Sequence, residues 1–410
     1  MTRSRQRAFA LVCAAGVLGV AGALAACSQD SAGSAGTTDA SPDSTASGAD
    51  ADAASTSPDG GPDAEASADV ATDGSLDATV DDGGGDASDG GCGALGAMGE
   101  ATELRCTGLY SDWATKTVSP DVVEYDPGLH LWSDGAVKTR WIYLPPGGAT
   151  DGGRMPIDTS NMNEWTFPVG TKLWKEFVLG GKRVETRLLW KQDVGAWYRT
   201  TYAWAPDGST ATELMTGMLD ADGDGYEIPT QTECNTCHNG RLDGVLGFEA
   251  VSLASADASP SLSAIASLGW ITEAPDASLA IPGNAVDVAA LGYLHANCGI
   301  ACHNAGSGMA RGTGFHMRLD VATLATVETT DTYTTGVNQA TRLGFQIAGD
   351  DPTLRLAPYD AGASCVDFRM SHRDGQGDAG MGTQMPPIDT HKIDDAGVAI
   401  IEQWIAQGCQ

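Results

Sequence analysis

Between residues 137 and 204 apolar and polar positions alternate with a period of two. Val137, Thr139, Trp141 and Tyr143 share one parity before Pro145-Pro146-Gly147-Gly148 breaks the run. Residues 172–179 and 182–191 are joined by Gly180-Gly181, a two-residue hairpin signal, and Tyr198, Thr200, Tyr202 and Trp204 alternate again up to Pro206-Asp207-Gly208. Side chains on a strand point to opposite faces in turn, so these runs predict an antiparallel meander or sandwich. Downstream the period changes to that of a helix. Val286, Ala289, Ala290, Leu291, Leu294 and His295 make one stripe over residues 285–297, and Val398, Ile401, Trp404 and Ile405 another over 394–407, with Asp394 as N-cap. The pattern predicts a multidomain α+β protein. An antiparallel β-rich domain spans 92–228, a Cys/His-bearing segment 229–284, and a mainly α-helical domain 285–410.

The N-terminal part reads differently. Arg3, Arg5 and Arg7 precede an apolar run over residues 8–26 that ends in Leu24-Ala25-Ala26-Cys27. This predicts a signal peptide at 1–26 rather than a spanning helix. It resembles a bacterial lipoprotein signal with its lipobox, which implies lipid on Cys27 and a membrane held through that anchor. A soluble secreted chain and an uncleaved anchor are the alternatives. Ser28 and Gln29 carry no Asp of the inner-membrane retention type, which points to the outer membrane within the periplasm-facing cell envelope. Residues 27–91 then predict a disordered linker of Asp, Ala, Ser and Gly. Without aromatic residues it has too little apolar surface to offset its ordering entropy, and its reach is about 40 to 50 Å.

Charge sharpens this division. The chain has 410 residues and a net charge of -31. Fifteen acids and no base fall in residues 28–91, and from Cys92 onward acids still outnumber bases 39 to 20. No basic patch for neutralising phosphates is visible, which argues against nucleic acid as a partner.

Three further features suggest chemistry. Eight of the ten Trp lie between 113 and 204, the count expected of a sheet core, with an aromatic-ligand platform as the alternative. Asp220, Asp222 and Asp224 have the one, three, five spacing of a calcium loop, with Gly225 at the sixth position. The twelfth position is Gln231 where an EF-hand has Glu, and an ordinary acidic turn is the alternative. Among ten Cys, an exported chain leaves Cys92, Cys106, Cys365 and Cys409 for two disulfides, paired by proximity as 92 with 106 and 365 with 409.

The remaining cysteines carry the strongest signal. In Cys234-Asn235-Thr236-Cys237-His238 two thiols are spaced to reach the two vinyl groups of one porphyrin, and the adjacent imidazole can bind its iron. Cys298-Gly299-Ile300-Ala301-Cys302-His303 repeats the pattern with one extra residue between the thiols. A zinc site is the alternative, since two Cys pairs with His supply tetrahedral ligands. Helix, motif, Met385-Pro386-Pro387 and terminal helix follow in the order of a monohaem cytochrome c, which makes Met385 the expected distal ligand of the second haem. Met370, Met381 and His391 are its rivals. For the first haem the candidates are His130, His295, His316, Met309 and Met317, or an open position.

Here the chain resembles a family of bacterial dihaem c-type cytochrome lipoproteins, mostly uncharacterised. The resemblance covers roughly 110–407. It runs through Trp132-Ser133-Asp134, residues 138–142, 165–177 and 184–189, Glu233 to His238, Asn297 to His303, and Met385-Pro386-Pro387. It implies two covalent haems c, a β-rich front domain, a cytochrome c-like C-terminal domain and electron transfer with a redox protein partner. The family's second motif usually has two residues between the thiols, and this chain has three. The expectation is an electron carrier rather than a catalytic enzyme. Its alternative is a dihaem oxidoreductase, either peroxidase-like or a cytochrome subunit with a substrate-binding β-domain; a zinc-stabilised adhesin is a third, non-redox reading.

Overall fold

The computed structural model describes residues 92, 101–148, 153–275, 279–342, 352–373 and 384–410. The signal, Cys27, the acidic linker and Met381 lie outside them. No helix among the described residues is long and apolar enough to cross a membrane.

A short antiparallel pair, β1 (Tyr110–Asp112) and β2 (Thr117–Val118), precedes a six-stranded sheet. Its strands are β3 (Val123–Tyr125), β4 (Val137–Tyr143), β5 (Lys172–Leu179), β6 (Lys182–Asp193), β7 (Ala196–Trp204) and β8 (Ala211–Glu213). They lie in sequence order, each antiparallel to the next. The period-two runs thus give a meander in one sheet. Gly180 and Gly181 both have positive φ, the conformation that a tight hairpin loop demands.

The two faces of this sheet have different partners. One carries Trp141, Trp174, Leu188 and Tyr202, buried with Leu104 and Leu109 of the preceding segment. Trp141 stands directly across from Trp174, so these indoles fill a core and are not an open platform. On the other face Ile142 and Leu173 pack with Phe248, Leu253 and Ile265 from the helical segment that follows.

That segment holds α1 (Gln231–His238), α2 (Ala250–Leu253) and α3 (Leu262–Ser267); then come α4 (Ala285–Leu294), α5 (Asp331–Gly336), α6 (Cys365–Met370) and α7 (Asp395–Ala406). Asp394 caps α7 as expected, accepting the Gly397 N–H at 3.0 Å. A third core joins Leu291 and Leu294 of α4 to Ile401, Trp404 and Ile405 of α7. Within it the fully buried Trp404 donates its indole N–H to Asp287 at 2.9 Å. The stripe over 285–297 differs in one respect from expectation: α geometry ends at Leu294, and a π-helical turn continues over His295–Gly299. Cys298 therefore sits inside this turn and does not follow a helix end.

Of the two expected disulfides one forms. Cys92 and Cys106 form a disulfide, but none joins Cys365 to Cys409. The Cys365 sulfur accepts from Arg369 Nε at 3.3 Å within its own helix, whereas Cys409 lies buried beyond α7 on the side of Asp287. The acidic loop over residues 220–226 is a hydrogen-bonded turn. Asp222 accepts the N–H groups of Asp224 and Tyr226, Asp220 accepts that of Gly225, and Asp224 is paired with Lys392 at 2.6 Å. The carboxylates are occupied by their own backbone and by an ammonium, and they do not converge on one point.

Candidate functional site

The first motif lies on α1, which opens with a capping box. Thr230 accepts the Glu233 N–H, and the Glu233 carboxylate accepts the Thr230 N–H at 2.7 Å. With the helix so started, Cys234 and Cys237 are one turn apart on one side, and His238 ends the helix. The second motif solves the same problem with one more residue. Its extra position is taken up by wider turns: the Ile300 N–H bonds His295 O at 2.9 Å, and the His303 N–H bonds Cys298 O at 2.8 Å, each spanning five residues. Gly299 is required there, because a Cβ would lie 2.3 Å from the Arg318 nitrogen.

Both motif histidines are oriented alike. His238 Nδ1 donates to Gly244 O at 2.5 Å, and His303 Nδ1 donates to Phe315 O at 3.1 Å. Such a bond fixes the tautomer with the proton on Nδ1 and leaves the Nε2 lone pair for a metal. Burial, which penalises the charged imidazolium, pushes His238 down to about 3 and His303 down to about 4. Both are thus neutral, the ligating form. Burial also pushes the Cys237 and Cys298 thiols up to about 12 and Cys302 up to about 11.

The two motifs touch. A Cβ on Gly240 would stand 1.9 Å from Ala301 O, so the chain after His238 lies directly on the second motif. Asn304 Nδ2 donates to Gly240 O at 3.2 Å, and Ser307 Oγ donates to Asn239 O at 2.7 Å. Among the described residues, the thiols and imidazoles of the motifs make no group of three within 4.8 Å of one another. Tetrahedral zinc at about 2.3 Å from each sulfur needs such a group. The grouping that does occur is Glu227, Glu233 and Asp389, where Glu233 already serves the α1 cap and Glu227 is paired with His391 at 2.6 Å.

Met385 is half-buried in a loop fastened from two sides. Its N–H donates to Arg369 O at 2.9 Å on α6, and Arg369 lies close enough to His303 to act on it electrostatically. The buried Gln384 donates to Pro386 O and Thr390 O at 3.2 and 3.1 Å. The loop's exit is held by the Trp132-Ser133-Asp134 stretch: Asp134 accepts the N–H groups of His391 and Lys392, and the Trp132 indole donates to Lys392 O. The Trp132 N–H in turn donates to Asn297 beside Cys298 at 2.6 Å. One short segment therefore joins the Met-Pro-Pro loop to the second motif.

The other candidate ligands are engaged elsewhere. Both nitrogens of buried His295 are bonded, Nε2 to Glu249 and Nδ1 to the Leu319 N–H. His130 faces Asp126 at 2.7 Å, Met309 is exposed, and Met317 and Met370 are core residues. His316 acts electrostatically on His303 and so belongs to the second motif's surroundings.

Sequence reasoning missed the residues opposite His238. On the sheet face toward α1, Arg140, Lys175 and Arg187 are directly paired across β4, β5 and β6. They border two neighbouring clefts that share Lys175 and Leu246; His238 and Arg187 line one, and Arg140 with Ile300 lines the other. Apolar walls from Leu129, Leu173, Leu189 and Val245 complete them. An apolar slot with a cationic edge beside a histidine suits a porphyrin with its two carboxylates. No family model matches the chain, and no curated protein or solved structure matches it.

Proposed function

We propose that the chain is an exported, lipid-anchored dihaem c-type cytochrome that carries electrons between redox partners of the cell envelope. One observation carries this reading: two Cys/His motifs in direct contact, each with its histidine Nδ1 on a backbone carbonyl and Nε2 left for iron. Cys234 and Cys237 would hold one haem and His238 its iron; Cys298, Cys302, His303 and Met385 would serve the other. Bound haem supplies one-electron ferric/ferrous chemistry. The protein's part is to hold the two groups close, through Gly240, Ala301 and Asn304, and to shield them with the sheet and with α4, α6 and α7.

The deciding experiment is a pyridine haemochrome assay with intact mass on protein matured in a haem-attaching host. Two covalent haems per chain are expected; none would overturn the reading. Met385→Ala should lower the potential of one haem and remove the sulfur-to-iron absorption at about 695 nm. If both haems are unchanged, Met385 is not a ligand.

A second reading, a dihaem oxidoreductase, is favoured by the engagement of His130, His295 and Met317 away from His238. An open sixth position there would bind cyanide or carbon monoxide. A carrier with both haems six-coordinate would resist them.

A further inference from the structure

The least expected feature of the sheet is its row of like charges. Arg140, Lys175 and Arg187 stand directly opposite one another on three adjacent strands. Like charges in directly opposed positions destabilise a sheet, and burial adds to the cost. Arg187 is compensated by Glu185, which accepts from its Nε and Nη2 at 2.9 and 2.6 Å. Arg140 and Lys175 have no such close partner: among the described residues neither makes a side-chain ion pair, and Asp126 acts on the 4% exposed Arg140, and Glu185 on Lys175, only from beyond bonding distance. A fourth cation, Lys138, sits two residues from Arg140 on the same face; it donates to Leu131 O and, at 3.1 Å, to Ser133 Oγ.

Neither side chain has a carboxylate at ion-pair distance, and the two edge adjoining clefts: half-buried Lys175 lines both, beside His238 in one, and buried Arg140 lines the other with Ile300. We infer that Arg140 and Lys175 form an anion cradle for the two propionates of the haem whose iron His238 binds, so that the β-sheet is one wall of the first haem site. The inference rests on the haem reading above. It assigns that wall to the sheet, where neither Cys/His motif has any residue. A porphyrin presents two carboxylates on one edge and an apolar body behind them. The cradle offers Lys175 with Leu173, Leu189 and Val245 beside it, and Arg140 on the next strand in the adjoining cleft. Arg187 with its own Glu185 then serves as a fixed neighbour and keeps the row from needing a third anion.

The test uses the full-length protein matured with haem. Lys175→Gln and Arg140→Gln are prepared beside Lys175→Arg, and each haem potential is measured by spectroelectrochemical titration. Removing a cation beside the propionates favours the ferric form, so the glutamine variants should lower the potential of one haem. The expected change in its oxidised-to-reduced ratio is about tenfold, which is ~59 mV for one electron. The other haem should keep its potential, and Lys175→Arg should restore the first. Two attached haems with both potentials unchanged in both glutamine variants would overturn the cradle while leaving the haem reading intact. Absence of haem from the unsubstituted chain would instead remove the reading itself. Should Lys175→Gln not fold, Arg140→Gln one strand away decides the matter alone. A free anion is the rival occupant: if inorganic phosphate shifts the potential of the unsubstituted holoprotein and Lys175→Gln abolishes that shift, the cradle is open to solvent and the propionate assignment fails.

Discussion

The two Cys/His motifs carry the same chemistry in unlike surroundings. The first lies on a capped α-helix against a sheet face with charged side chains, where His238 shares a cleft with Lys175 and Arg187. The second lies in a widened turn between α4 and the C-terminal helices, with Phe315 edge-on to His303 at 6.0 Å and the core of Leu291, Ile401 and Trp404 behind it. The cysteine spacing alone does not set the environment of a bound group. Neighbouring charge and burial do, and under the proposed haem reading they would give the two sites different means of tuning a potential.

The independence of the two surroundings is tested most severely at Trp404. Trp404→Ala removes a fully buried indole and its bond to Asp287, and should cost about 3 to 5 kcal/mol in chemical denaturation. The spectrum of the haem at the second motif should change first, while that of the first stays as it is; simultaneous change of both would mean the two surroundings act as one. Gly240→Ala tests the contact between the motifs. Gly240 is not in the left-handed region, so its requirement is for space, with Ala301 O 1.9 Å from an added Cβ. The variant should lose about 1 to 3 kcal/mol of stability and show slower electron exchange between haems in pulse radiolysis; unchanged exchange would show that the contact does not set their separation.

A pH series on a haem-free chain with all four motif cysteines changed to serine sharpens the contrast. Both histidines are depressed by burial from 6.5, to about 3 and about 4. In the unfolded chain they take up protons below 6.5 and in the folded chain they do not, so stability is held above 6.5 and lost as pH falls toward 4. The slope approaches about 1.4 kcal/mol per pH unit for each histidine. It should flatten in the haem-loaded protein, where iron occupies Nε2. Equal slopes in denaturant titrations of both forms would mean the histidines do not bind iron. The smallest effect belongs to the acidic turn: millimolar calcium should leave the thermal midpoint unchanged, since Asp220, Asp222 and Asp224 are occupied by N–H groups and Lys392. A rise in midpoint would restore the calcium reading.

Much of this architecture is written locally. Alternation at Val137, Thr139, Trp141 and Tyr143 marks β4, the Gly180-Gly181 pair marks the β5–β6 hairpin, and Asp394 with the Val398, Ile401, Trp404 stripe marks α7. Each depends only on near neighbours along the chain. Contacts between distant segments are not written locally. Cys365 and Cys409 are close in sequence, yet no disulfide joins them, and Arg369 of the same helix donates to the Cys365 sulfur. At Asp224 the partner Lys392 arrives from 168 residues away.

The long strands β4 to β7, the hairpin, the helical stripes and the two Cys/His motifs are legible in the sequence, because period, turn chemistry and cysteine spacing act over a few residues; the short strands β1, β2, β3 and β8 are not. The cationic row beside His238 was decided only in three dimensions. Counting back from the Gly180-Gly181 loop puts Thr186 opposite Lys175. The irregularity at Phe177/Val178 shifts the register by one and brings Arg187 there instead. Since strand side chains alternate faces, that single extra residue moves Arg187 to the face shared by Arg140, Lys175 and the first motif. No local pattern encodes it, because where a bulge falls is fixed by how both faces of the sheet pack at once.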